Sequence, residues 1–231
     1  MNAFFLYEKD MTLFAEQWVH AQGLFCKKEF SLPWGVCDVV GCSFRCESVQ
    51  KRLLYGQRKS LGPQLRVMLF MSIPEKDTGT SIDKESLYQK FSLVLDRSKF
   101  ESDLSFLEKN KFIISMNNEC FQRINGWYPL HDRLIAVELK IKRFSEALRQ
   151  AEANLRFADE SYVGLPLDAA RKVCDSGLKE QFFSSGVGLL GFGRVSCDVV
   201  IKPQISKKIN IALQDHCIER FWRTFSKACQ H

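Results

Sequence analysis

The sequence predicts an α/β fold interrupted by a small helical module, and three stretches carry that expectation. The first is 134–144, LIAVELKIKRF, where Ile135, Val137, Leu139 and Ile141 alternate with Ala136, Glu138, Lys140 and Lys142. Alternation with period two marks a strand with one buried face and one face open on a polar site. An amphipathic helix follows at once, with Phe144, Ala147, Leu148, Ala151, Leu155 and Ala158 at spacings of three and four. The second is 36–44, VCDVVGCSF, an apolar run holding a single charge, Asp38. Aspartate is depleted from strands and rarely buried without a partner, so its presence there needs a reason. The third is 62–130, which reads as three short helices and a hairpin.

Composition sets the frame. A chain of 231 residues makes one large domain or two small ones, and 45% hydrophobic residues suffice for a core. The net charge of +6 permits an anionic partner without demanding one. Nine cysteines, with no repeated C-x-x-C pair, predict buried reduced thiols rather than a zinc ribbon or a secreted disulfide framework. No apolar run approaches about 18 residues, so no membrane span is expected. The start, MNAFFLYEKD, mixes acid and base too early for a signal peptide. A cytoplasmic protein is the expectation.

In chain order, 11–24 reads as a helix with Leu13, Phe14, Trp18 and Ala21 facing the core and Glu16 on the same element. Strands 25–33 and 36–44 join near Pro33-Trp34-Gly35. The stretch 45–66 reads as a basic connector, with Arg45, Lys51, Arg52, Arg58, Lys59 and Arg66 opposed by Glu47. Within the module, helices are predicted over 64–72, 83–91 and 97–110, then strands 112–116 and 119–124 flanking a turn at Asn117-Asn118. Three helices and a hairpin make a winged helix-turn-helix, with Phe100, Leu104 and Leu107 anchoring its third helix. That helix and its edges balance Arg97, Lys99, Lys109 and Lys111 against Asp96, Glu101, Asp103 and Glu108. DNA contact through Arg97, Lys99 and the nearby serines, protein docking and a structural role all stay open for it. Beyond the opening strand and helix come a strand at 162–165, a helix over 169–183 capped by Asp168, strands at 187–191 and 195–201, and a helical tail over 206–228. The tail is basic, with Lys207, Lys208, Arg220, Arg223 and Lys227 against Asp215 and Glu219. The predicted division is 1–61 and 131–231 as two parts of one core, with 62–130 inserted.

With the module set aside, the remaining order is helix, strand, strand with Asp38, strand with Glu138-x-Lys140, helix, strand. CDVVG at 37–41 and VELK at 137–140 resemble the motifs of the PD-(D/E)XK, or restriction-endonuclease-like, nuclease superfamily. The resemblance covers roughly 1–45 and 131–201. It implies an αβββαβ core, with Asp on the second strand, (D/E)-x-K on the third, and a glutamine of the following helix, here Gln150, near the site. Asp38 has no preceding proline. Asn154 stands where a tyrosine would complete the Gln-x-x-x-Tyr variant of some exonuclease members.

The resemblance implies a magnesium- or manganese-dependent deoxyribonuclease. Asp38 and Glu138 would hold the metal, with Glu16 as a further ligand. Lys140 would steer water or stabilise the transition state, and Gln150 would orient water or phosphate. Lys142 and Arg143 beside the site, and Arg58 and Lys59 in the connector, are the expected contacts to the DNA backbone. A homodimer or a larger defence-type complex is a possible assembly. The alternatives are a non-catalytic DNA-binding or assembly protein on a degenerate nuclease core, and a nuclease subunit of a defence or mobile-element complex.

Overall fold

The computed structural model describes residues 5–117, 119–124 and 129–228 of the chain. Asn118 of the predicted turn and the side chain of Lys227 lie outside the described residues. The first elements are α1 (Glu8–Ala21), β1 (Phe25–Leu32), β2 (Gly35–Phe44), α2 (Cys46–Leu54) and α3 (Gln64–Met71). After a 3-10 turn at Lys76–Thr78 come β3 (Ile82–Asp83), α4 (Lys84–Gln89), α5 (Arg97–Lys109), β4 (Ile113–Met116) and β5 (Cys120–Arg123). Then follow β6 (His131–Leu139), α6 (Phe144–Asn154), β7 (Glu160–Pro166), α7 (Leu167–Cys174) and α8 (Lys179–Ser185). The last are β8 (Gly188–Phe192), β9 (Cys197–Ile201) and α9 (Ile211–Ala228). The fold is α/β. No helix among the described residues is long and apolar enough to cross a membrane.

The chain divides into two compact units, Met1–Ser43 with His131–Gln214, and Phe44–Leu130 with Asp215–His231. The first unit holds a six-stranded sheet in the order β1-β2-β6-β7-β8-β9. β1 and β2 pair antiparallel, β6–β7 and β7–β8 parallel, and β8–β9 antiparallel. A parallel neighbour requires a crossover, which α6 supplies between β6 and β7. Ile135, Val137 and Leu139 of β6 pack with Met11, Ala15 and Val19 of α1. Residues 134–139 are buried without a break, so the strand has no open face. This corrects the half-open strand predicted over 134–144. It begins at His131, ends at Leu139 and has both faces covered, as parallel sheets do.

Other departures have local causes. α1 starts one turn earlier than the apolar pattern suggests, because Asp10 Oδ2 accepts the Tyr7 N–H at 2.8 Å and fixes the first turn. Its buried stripe is Met11, Ala15, Trp18 and Val19, while Leu13 is 57% exposed. The helix predicted over 169–183 is two helices, α7 and α8, parted around Gly177. Pro166 takes the N-cap position and Asp168 sits inside the first turn.

The second unit has its own core, in which Phe100, Leu104 and Leu107 of α5 meet Val67, Phe70, Leu87, Phe112 and Phe121. Its small sheet runs β3-β5-β4. The supposed connector 45–66 belongs to this unit and contains α2, as does the tail from Asp215 onward. The reason is Arg52, predicted as a surface charge and in fact fully buried in an ion pair with Glu219. Its Nη2 donates to Glu219 Oε2 at 3.0 Å, its Nε to the Gln57 carbonyl at 3.0 Å, and its Nη2 to the Lys59 carbonyl at 2.8 Å. Glu219 Oε2 also accepts the Leu61 N–H at 2.7 Å. The guanidinium lies 4.5 Å from the Trp222 ring centroid and 5.3 Å from that of Phe112. Residues 57–61 are thus wound around one paired charge. Arg52→Met, which strands Glu219 without its cation, lowers unfolding stability in urea by about 3–5 kcal/mol, and Arg52→Met/Glu219→Met recovers most of it. A single variant as stable as the wild type contradicts this role for the pair.

Candidate functional site

Glu138 sits at the end of β6 and is only 3% exposed. It points away from the α1 side of the sheet to the side covered by α6, where Asn154 Nδ2 donates to its Oε1 at 2.6 Å. Asn154 is held in turn by Trp34, whose Nε1–H donates to Oδ1 at 3.3 Å. The Arg156 guanidinium lies over that indole at 5.1 Å. Burial pushes the Glu138 carboxyl up to about 7, against the pull of Asn154, and the charge on Asp38 pushes the same way. Lys140 and the Cys37 thiol oppose the rise. The Cys37 thiol is itself fully buried and is kept protonated by burial and by Glu138 and Asp38.

Asp38 lies within β2, next to β6 in the sheet, and its Oδ2 accepts the Leu139 N–H at 2.7 Å. Burial raises its carboxyl also; the Leu139 N–H and Lys140 lower it, and the charges of Glu8 and Glu29 raise it. Glu29 has φ of 48° and interrupts the β1–β2 ladder between the pairs Lys28↔Val39 and Phe30↔Cys37, opposite Asp38. A non-glycine residue in that conformation is strained and is favoured where a site demands it. Lys140 continues past β6, its N–H donating to the Gly164 carbonyl at 3.0 Å. Its Nζ is 3.3 Å from Oε2 of Glu8, in the first turn of α1. Four carboxyl groups (Glu8, Glu29, Asp38 and Glu138) therefore act on a locus with one lysine. Asp38 and Glu138 offer hard oxygens of the kind magnesium or manganese takes, but among the described residues no three acids of this locus come within ligand distance of one another.

Gln150 adds to that fit. It lies one turn before Asn154 on the same face of α6, and its Oε1 is buried with no hydrogen-bond partner. Because α6 runs back along β6, Gln150 is nearer the Lys140 end of the strand than Asn154 is. A buried acceptor left without a donor costs about 1–3 kcal/mol, which a bound water or ligand would offset.

The remaining predicted residues separate. Glu16, expected on the same ion, instead bonds Lys28 Nζ at 2.8 Å and groups with His20 and Cys26. Lys142 and Arg143 are exposed beyond β6, with Arg143 3.5 Å from Glu146. Arg58 and Lys59 present exposed side chains in the second unit. Arg97 and Lys99 are committed to acids of that unit: Arg97 to Glu85 at 2.6 Å and Glu101 at 3.3 Å, Lys99 to Asp103 at 2.6 Å. Of the connector's cations, Arg66 pairs with Asp103 at 2.7 Å and Arg52 is buried. Glu8, Asn154 and Trp34 were not singled out from the sequence as site residues. The signal for Glu8 was its place among acids at a helix start, which ordinarily reports only the helix dipole.

The raised Glu138 carboxyl has a pH signature. Its ordinary value is 4.5 and its folded value about 7, so between them the folded protein keeps a proton that the unfolded chain has released. Without metal, stability falls as pH rises through that window, by on the order of 3 kcal/mol, and levels off above it. Urea unfolding from about pH 4.5 to about pH 8 reads this slope, and Glu138→Gln removes that share of it. Parallel wild-type and variant curves would discard the buried acid. Compared with family models, with curated proteins and with solved structures, the chain has no match in any of the three.

Proposed function

We propose that the protein is a divalent-metal-dependent nuclease hydrolysing DNA phosphodiester bonds. Its core is restriction-endonuclease-like, αβββαβ, with a winged helix-turn-helix module inserted between the second and third strands. The order α1-β1-β2-β6-α6-β7 supports the core, and α3, α4 and α5 with the β3-β5-β4 sheet support the module. One observation carries the activity: Asp38 Oδ2 accepts the Leu139 N–H at 2.7 Å, which brings the Asp38 carboxyl to the end of the neighbouring strand where Glu138 sits, with Lys140 two residues on.

Asp38 and Glu138 are the residues that would hold magnesium or manganese, with the Gln150 carbonyl available to a water or phosphate beside it. The bound ion supplies positive charge against the phosphoryl oxygens and acidifies water. Glu138 must give up its proton to take a cation, so uptake of metal releases a proton and weakens as pH falls below about 7. Lys140 exchanges Glu8 for the substrate phosphate, where its ammonium offsets charge developing at phosphorus. Lys142 and Arg143 contact the DNA backbone.

Magnesium-dependent cleavage of plasmid, linear and single-stranded DNA tests this. Asp38→Ala, Glu138→Ala and Lys140→Ala each lose on the order of 100-fold or more in rate, with folding checked by circular dichroism. A wild-type rate in either carboxylate variant ends the nuclease reading. The engagement of Lys140 by Glu8 is the observation that favours the alternative, a non-catalytic DNA-binding or assembly protein on a degenerate core. Binding without cleavage of any of the three substrates decides for it.

Affinity is expected from phosphate contacts with little base readout, since Arg97 and Lys99 are occupied by acids. Neutralising Arg58, Lys59 and Lys142 weakens binding to all sequences alike and flattens the salt slope by about one unit per lost contact. Substituting Arg97 and Lys99 has the smaller effect on binding. Sequence-selective loss from the Arg97 and Lys99 substitutions would make α5 the reader.

A further inference from the structure

We infer that Glu16, His20 and Cys26 form a transition-metal site, best suited to zinc, that ties the last turns of α1 to β1. The site is distinct from the Asp38–Glu138 locus and does not depend on the nuclease reading. Glu16 and His20 are four residues apart on α1 and therefore neighbours on one helix face. Cys26 is the second residue of β1, brought against that face by the short turn after Ala21. One ligand atom from each of the three lies within 4.8 Å of the others. In a tetrahedral zinc shell, ligand atoms sit roughly 3.3–3.8 Å apart, as bond lengths of about 2.0–2.3 Å require. Small side-chain rotations close that difference.

One further contact orients a ligand here. His20 Nδ1 lies 3.2 Å from the Leu24 carbonyl. Donation of Nδ1–H to that carbonyl leaves the lone pair on Nε2, which is how a backbone acceptor orients a metal-binding imidazole. Glu16 Oε2 is held by the half-exposed Lys28 ammonium at 2.8 Å, which a metal at this carboxylate has to displace into solvent. Burial and Glu16 push the Cys26 thiol up to about 11, so the metal has to displace its proton; the resulting thiolate, imidazole and carboxylate are a borderline-soft set, which selects zinc over magnesium. Three protein ligands leave a fourth position for water or an exogenous donor. The hard-oxygen locus and this mixed set therefore take different metals.

Cobalt(II) titration of the reduced full chain, followed by absorbance, tests the site. The expected result is one equivalent bound with a thiolate-to-cobalt charge-transfer band in the near ultraviolet, displaced by zinc. Cys26→Ser abolishes that band. His20→Gln, at an exposed position that folding tolerates, weakens cobalt affinity roughly tenfold or more, the scale set by loss of even a supporting group around a metal. Asp38→Ala leaves the band in place. Zinc raises the melting temperature of the wild type and not of Cys26→Ser. A wild-type spectrum without the band, or a band that survives Cys26→Ser, overturns the proposal; so does undiminished affinity in His20→Gln.

Discussion

Everything at the candidate site follows from keeping one acid, Glu138, nearly out of water on a strand covered on both faces. An ionised carboxylate there would lack both solvent and a cation. The fold reduces the cost by raising the carboxyl to about 7 and giving it a single strong donor, Asn154. An apolar residue at 138 would suit the strand better, and the nearby Asp38 makes the position worse for a charge. The arrangement gives up stability.

The second unit handles a buried charge in the opposite way. Arg52 and Glu219 are both fully enclosed, but each is the other's counter-charge, the guanidinium also donates to the Gln57 and Lys59 carbonyls, Glu219 accepts the Leu61 N–H, and two aromatic rings flank the guanidinium. A counter-charge in direct contact separates Arg52 from Glu138, whose close partner is a neutral amide. Arg52 is saturated and holds 57–61 in place. Glu138 shares its surroundings with like charge and with an unsatisfied Gln150 oxygen. Both are buried ionisable groups, and burial alone would not distinguish them.

The sequence reported what is local. Period two marked β6, the lone charge marked Asp38 within β2, and the three- and four-residue spacing marked α6. It could not report partners brought close only by folding. Arg52 read as a solvated cation because Glu219 lies 167 positions away. The even face of β6 read as open because nothing in 134–144 says that α6 folds back over it. Asn154 drew attention only as a missing tyrosine, though its amide donates to Glu138 at 2.6 Å. Leu13 misled the reading of α1, since a tight turn at Tyr7 and Asp10 rotates the helix so that Met11, Ala15 and Val19 face the sheet.

The choice between two acids on α1 shows how much rests on that rotation. Glu16 was expected at the metal as an acid on the first helix, yet Glu8 is the one that reaches Lys140. Eight residues of helix separate them by about 12 Å along the axis, so one helix cannot bring both to the same ion. With Glu8 on Lys140, and Glu29 and Glu138 acting on Asp38's surroundings, the carboxylates by themselves repel a polyanion. Under the nuclease reading, DNA phosphate gains a favourable place only after a cation has offset those carboxylates, which also weakens the hold of Glu8 on the lysine. On that reading, cation first and phosphate second is the order that the charges favour.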